Sequence, residues 1–314
     1  MIKRSVNLQA FFLGEEFMNN LQRTETKGLK TAVIILFFMG GLGLVVSQIA
    51  NSAAILIDGV FSIISAATTL IAIKVSSVLT KKNEKYPFGY AGYEPLYVLL
   101  RSFLLIITVL MALLDSVSKI ITYFITGKIV QVDAKIFMVY VIFIALMYVV
   151  LNIHYGKYCK LTEGKSELLL AEKFNSKANS MLMLGVAGSF LFIGFLKFTP
   201  LKFLVPISDS VIVFFIALIV IVDTSKLFVK TIATLGGKGI DVVEKEELLS
   251  FIRERVLDDV EIIDLRCQKK GKTANLVIDI AVKDHIIEKN KINNIRKIID
   301  KKYEINDTSI NFIG

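Results

Sequence analysis

Histidine and cysteine are scarce in this chain of 314 residues, which contains two of each. The two cysteines, Cys159 and Cys267, are too few for a disulfide framework or a zinc cluster, so both are expected to be reduced and structural. The sequence also contains no nucleophile–base set and no cofactor fingerprint. It therefore predicts neither an enzyme nor a cofactor-binding protein.

Charged side chains are missing from six segments of the chain. These segments are residues 31–57, 59–73, 102–114, 136–156, 178–196 and 210–222. Because about 20 apolar residues span a hydrocarbon core of about 30 Å, this pattern predicts an α-helical membrane protein. We expect six transmembrane helices at 31–50, 52–77, 95–115, 136–156, 168–197 and 206–225, within a domain of residues 31–230.

Basic residues lie mainly on one side of this predicted domain. Lysines cluster before span one, between spans two and three, between spans four and five, and after span six, which places both termini in the cytoplasm. Residues 1–30 are expected to form an amphipathic cytoplasmic leader on the surface of the cell membrane, or a partly disordered tail. The net charge of +9 fits this distribution and anionic lipid, and requires no nucleic acid.

The sequence changes character near Ile240. Residues 241–257 place Val243, Leu248 and Ile252 at helical spacing, two strand patterns flank a turn at 270–272, and a second helix and a short strand follow. This order predicts a small cytoplasmic α+β (αββαβ) domain over residues 240–314. A domain of this size has a small core, so contacts within a homodimer would help to stabilise it.

One acidic residue, Asp58, interrupts the apolar sequence of span two. A charge in a bilayer is costly, so it marks a functional site by default. Asp58, Ser62 and Ser65 share one helical face, and Asn175 and Asn179 are four residues apart on span five. If these faces meet, they form an all-oxygen site that suits hard cations rather than zinc. A single carboxylate favours weak binding of a divalent ion, or a monovalent ion.

Each of these polar residues also has a structural interpretation. The two asparagines could join helices by hydrogen bonds, and the two serines could be small residues at a helix contact. Asp58 could form an ion pair with Arg101, which is itself unusual inside span three. The sequence Gly40-Gly41-Leu42-Gly43 lies inside span one without a preceding strand, so it indicates close helix packing rather than phosphate binding.

Several features in order resemble the cation diffusion facilitator (cation efflux) family. Ser52 and Asp58 fit the pattern of its second helix, residues 86–94 are similar to its aromatic-Pro-aromatic-Gly segment ending in Glu, and Asp209-Ser210 fits the start of its sixth helix. The resemblance covers residues 30–314. It implies a homodimeric transporter that exports an inorganic, usually divalent, cation by alternating access and proton antiport.

The chain departs from this family at the positions that bind the ion. Members carry His or Asp and an Asp four residues later on span two, with a matching pair on span five. The corresponding residues here are Phe61 and Ser65, then Asn175 and Asn179. The sequence therefore indicates a divergent member that transports a cation other than zinc. The alternative is a transport-inactive membrane protein whose cytoplasmic domain is a dimeric interaction or regulatory module.

Overall fold

The computed structural model covers most of the membrane-spanning region and part of the C-terminal region. The backbone is described for residues 2–50, 52–79, 81, 83–86, 89–127, 134–196, 207–256, 261–270, 273–281 and 307–313. Side chains of residues 2–19 and 189–196, and of a few others at the ends of elements, are not described.

Six long helices make up most of the described chain. They are α1 (Ile2–Ala50), α2 (Ala53–Val78), α3 (Tyr93–Thr126), α4 (Ala134–Leu161), α5 (Glu167–Leu196) and α6 (Ser208–Leu235). An apolar segment in lipid favours a helix because every backbone group is then satisfied internally. Each predicted span coincides with one helix, although α3 and α6 continue well beyond the predicted ends at residues 115 and 225.

Five of these helices are long and apolar enough to cross a membrane. Within the described residues the candidate spans are Asn20–Ala50, Ile55–Val78, Tyr93–Thr126, Lys135–Leu161 and Ser210–Leu235. These spans belong to α1, α2, α3, α4 and α6. A sixth span on α5 remains a prediction.

The predicted leader is continuous with the first span, because α1 runs without interruption from Ile2 to Ala50. Glu25, a charged residue within the predicted leader, is fully buried. The Ser76 hydroxyl of α2 and the Ser166 hydroxyl at the start of α5 both donate hydrogen bonds to its carboxylate. These two hydroxyl donors replace the hydrogen bonds from water that the carboxylate loses on burial.

Glycine allows α1 and α2 to approach each other closely. A Cβ atom on Gly43 would lie 2.6 Å from the Gly59 Cα atom, and one on Gly40 would lie 3.0 Å from the Gly59 carbonyl oxygen. The prediction of close packing at residues 40–43 is therefore confirmed. α1 also packs along α4, and α4 along α5. An apolar cluster that includes Leu105, Ala178 and Ala217 joins α3, α5 and α6.

The chain divides into two compact units, Met1–Val78 with Tyr97–Phe228, and Leu79–Leu96 with Val229–Gly314. The second unit contains helix α7 (Val242–Val256) and strands β1 (Glu261–Lys270), β2 (Thr273–Ala281) and β3 (Asp307–Ile313). β1 pairs antiparallel with β2, and β2 pairs parallel with β3, giving the strand order β1-β2-β3. The predicted second helix of this domain lies outside the described residues.

Helix α7 and the sheet of this unit share one apolar core. Leu248, Phe251 and Ile252 of α7 are buried together with residues of β1 and β2. Cys267 is among them, and it is a free thiol like the buried Cys159 of α4. Val243, which has helical spacing with Leu248 and Ile252 in the sequence, is 68% exposed in the first turn of α7.

Candidate functional site: a polar cavity among the helices

The Asp58 carboxylate lies in the first third of α2, beside α4. Its Oδ2 atom accepts a hydrogen bond of 2.6 Å from the Tyr140 hydroxyl near the start of α4. Gly43 of α1 makes room for this contact, because a Cβ atom there would lie 2.8 Å from the Tyr140 hydroxyl oxygen. Asp58 is only partly buried, and it lines a cavity of about 370 Å³.

Four of the five predicted site residues line this cavity. They are Asp58 and Ser65 of α2 and Asn175 and Asn179 of α5. Neither asparagine forms a hydrogen bond with another described residue, although a role in joining helices would require one. Their amide groups are therefore available to a ligand on the cavity wall.

Ser62, the fifth predicted residue, is oriented differently. It is fully buried, and its hydroxyl lies 3.4 Å from the hydroxyl of Tyr148 on α4. Tyr148 itself lines the cavity, and its carbonyl oxygen accepts a hydrogen bond from Ser176 of α5. Ser62 thus supports the cavity wall from behind, a position consistent with the packing interpretation of this residue.

Arg101 does not pair with Asp58 in this structure. Its Nη2 atom donates to the Glu172 carboxylate of α5 at 2.8 Å, and both side chains are almost completely buried, at 3% and 1% exposure. Its Nη1 atom donates to the hydroxyls of Thr68 at 2.9 Å and Ser65 at 3.3 Å. A guanidinium that is buried without a counter-charge is very costly, and the buried carboxylate of Glu172 supplies that charge.

Glu172 is held by two tyrosines in addition to Arg101. The Tyr97 hydroxyl of α3 donates to one carboxylate oxygen, and the Tyr155 hydroxyl of α4 lies 3.4 Å from the other. Within the described residues the Nε atom of Arg101 is buried without a hydrogen-bond partner. Arg101 lines the cavity whereas Glu172 does not, so the cavity ends at the guanidinium.

The opposite end of the cavity is formed by the C-terminal half of α3 and the first turns of α2, α4 and α6. Asp115 and Lys119 line it there and form an exposed ion pair of 2.6 Å. Between the two ends the wall is largely apolar, with Phe61, Leu104 and Met183 among the lining residues. Such a concave, mainly apolar space with a few converging polar groups is typical of a ligand site.

Three residues of this arrangement were not identified from the sequence as part of the site. Tyr140 and Tyr148 are tyrosines within the apolar span four, where an aromatic residue carries no specific signal. Glu172 could have been found, because Glu172, Asn175 and Asn179 have the spacing i, i+3, i+7 and share one helical face. Among the described residues no group of three His, Cys, Asp or Glu side chains is positioned to hold a metal ion.

A mainly apolar cavity with a few polar side chains, lying among long apolar helices, is characteristic of a multi-pass membrane transport protein. The transmembrane-domain model of the cation efflux family matches residues 29–235. The chain therefore belongs to the cation efflux, or cation diffusion facilitator, family, as its sequence features suggested. A comparison with curated proteins gave no match. Members of this family are cation transporters rather than typical enzymes, so the chain is a multi-pass membrane protein of the cation transport class.

Proposed function

We propose that this protein exports an inorganic cation from the cytoplasm across the cell membrane in exchange for protons. The supporting observation is that the Asp58 carboxylate of α2 and the Asn175 and Asn179 amides of α5 line one cavity. A carboxylate that binds either the ion or a proton couples the two. We propose further that the chain crosses the membrane six times, that both termini lie in the cytoplasm, and that the protein is a homodimer.

The chemistry of the ion follows from the oxygen atoms that line the cavity. Carboxylate, amide and hydroxyl oxygens suit hard cations, whereas zinc prefers imidazole and thiolate. The family resemblance favours a divalent metal, while the single carboxylate of the cavity favours a monovalent ion. In either case we expect no tight binding of zinc or cadmium, because the ligands are oxygen atoms of Asp58, Ser65, Asn175 and Asn179. Ser62 lies behind them.

The test is a flux screen on purified full-length protein in proteoliposomes, over monovalent and divalent cations including Zn²⁺, with a pH gradient. Asp58→Asn keeps the size of the side chain and removes its titration, so it should abolish pH-dependent cation flux. Asp223→Asn is the matched control, because Asp223 is an exposed carboxylate on α6 paired with Lys226. Flux that persists unchanged in Asp58→Asn would show that this carboxylate is not the coupling group.

The alternative is a transport-inactive protein that acts through a dimeric cytoplasmic domain. This alternative is favoured by the loss of the family's ligands, since the corresponding positions here are Phe61, Ser65, Asn175 and Asn179. It predicts a two-chain particle by light scattering in mild detergent, together with no flux of any cation in the same screen. A folded dimer that transports a cation in an Asp58-dependent manner excludes this alternative.

A further inference from the structure

Glu172 lies on the polar face of α5 that also forms the cavity wall. Glu172, Asn175 and Asn179 are spaced i, i+3, i+7, yet only the two asparagines line the cavity. The carboxylate of Glu172 is instead bound to Arg101 at 2.8 Å and receives a further hydrogen bond from the Tyr97 hydroxyl. A second acidic group is therefore present next to the cavity, but a residue of the chain already neutralises it.

Arg101 is a cation fixed at the end of the cavity. It reaches from α3 to Glu172 on α5 and to Ser65 and Thr68 on α2, so three helices determine its position. Asp58, Arg101 and Tyr148 all line this cavity. The guanidinium and the Asp58 carboxylate thus act on one shared space.

Among the described residues, the charged side chains that line the cavity leave a single negative charge. Asp58, Arg101, Asp115 and Lys119 are the charged residues among those that line it. Asp115 and Lys119 neutralise each other at the exposed end, and Arg101 is neutralised by Glu172. Of these described carboxylates, only that of Asp58 remains for an incoming ion.

We propose that Arg101 is the residue that sets the valence of the transported ion, and that it restricts this cavity to monovalent cations by occupying the second carboxylate, Glu172. This inference rests on the proposed function, because it assumes that the Asp58 cavity is the transport site. A divalent ion beside Asp58 would leave one positive charge uncompensated in a space with largely apolar walls, where charge–charge energies are large. A monovalent ion is compensated by Asp58 alone.

The experiment compares charge variants of the full chain in proteoliposomes at one fixed pH. Uptake of Na⁺ and Rb⁺ is measured against uptake of Mg²⁺ and Mn²⁺. The unmodified protein should favour the monovalent ions. Arg101→Gln leaves Glu172 as a second negative charge at the end of the cavity and should raise the divalent-to-monovalent ratio by about tenfold or more.

Two further variants separate charge from structural support. Arg101→Lys keeps the positive charge and should keep the monovalent preference. The double variant Arg101→Gln with Glu172→Gln removes both charges, leaves Asp58 alone, and should also restore the monovalent preference. Lys226→Gln, which removes an exposed lysine paired with Asp223 on α6, is the control and should behave as the unmodified protein.

The inference is overturned if the unmodified protein prefers divalent ions, or if folded Arg101→Gln leaves the ratio unchanged. If Arg101→Gln does not yield folded protein, the double variant decides, and a divalent preference or no flux in that variant contradicts the inference. A divalent preference that depends on Asp58 would leave the proposed function intact. Absence of all flux in the unmodified protein would overturn both proposals.

Discussion

Two acidic groups in the membrane unit have opposite surroundings. Asp58 has a single described hydrogen-bond donor, Tyr140, and one side of it faces a cavity. Glu172 is bound by a guanidinium and two tyrosine hydroxyls, and its side chain is 1% exposed. The cavity around Asp58 is open to a ligand, whereas the Glu172 cluster is closed.

The difference shows how one bundle can hold a structural carboxylate and an available carboxylate side by side. A buried ion pair is costly to break because the remaining partner is left charged and unsolvated. Glu172 therefore holds α3, α4 and α5 together through Arg101, Tyr97 and Tyr155. Asp58 lacks such saturation, which is what the proposed function requires of a carboxylate that exchanges an ion for a proton.

The largest expected effect comes from breaking the closed cluster. Arg101→Leu leaves Glu172 buried without its cation and should lower the free energy of unfolding by about 3–5 kcal/mol. Asp58→Asn keeps an acceptor for Tyr140 and should cost roughly 1 kcal/mol. Unfolding by a denaturing detergent, followed by circular dichroism, measures both. Equal losses in the two variants would contradict the distinction between the clusters.

A smaller effect is expected from the glycine that makes room for the Asp58–Tyr140 contact. In Gly43→Ala the new Cβ atom would lie 2.6 Å from the Gly59 Cα atom and 2.8 Å from the Tyr140 hydroxyl oxygen. The backbone of α2 has to shift, at a cost of about 1–3 kcal/mol, and flux should fall with it. Gly41→Ala is the control, since its Cβ atom would meet nothing within 4 Å. Similar stability and flux in the two variants would exclude a role for the close helix crossing.

The smallest effect concerns an exposed carboxylate of the second unit, outside both clusters. A hydrogen bond from the Lys245 ammonium, followed by one from the Leu265 backbone amide, lowers the pKa of Asp264. Because the pKa is lower in the folded state, ionised Asp264 stabilises the fold at a pH above its ordinary pKa. This contribution is lost as the pH falls below about 4. Asp264→Asn should therefore reduce the acid-induced loss of thermal stability slightly, because solvent screens the pair. An unchanged acid profile would show that Asp264 contributes nothing measurable.

Much of the helical framework could be predicted from the sequence, because a segment that crosses a bilayer needs about 20 mainly apolar residues in a helix. Each predicted span coincides with one helix, and Asp58, the acid in span two, lines the cavity. The burial of Glu25 in the leader could not be predicted, because its hydrogen-bond donors, Ser76 and Ser166, lie on other helices or at their ends. The partner of Arg101 was also hidden, because the sequence suggested Asp58, whereas the structure pairs Arg101 with Glu172.

By itself the sequence determined the family, the helices and the scarcity of imidazole and thiolate, since these depend on composition and on spacing along one helix. Only the tertiary structure decided which polar groups face one another. Ser65, Asn175 and Asn179 line a common wall with Asp58, while Ser62 turns towards Tyr148. The physical reason is that burial and hydrogen bonding are decided between helices. Residues 71 positions apart, such as Arg101 and Glu172, form a contact that no local pattern encodes.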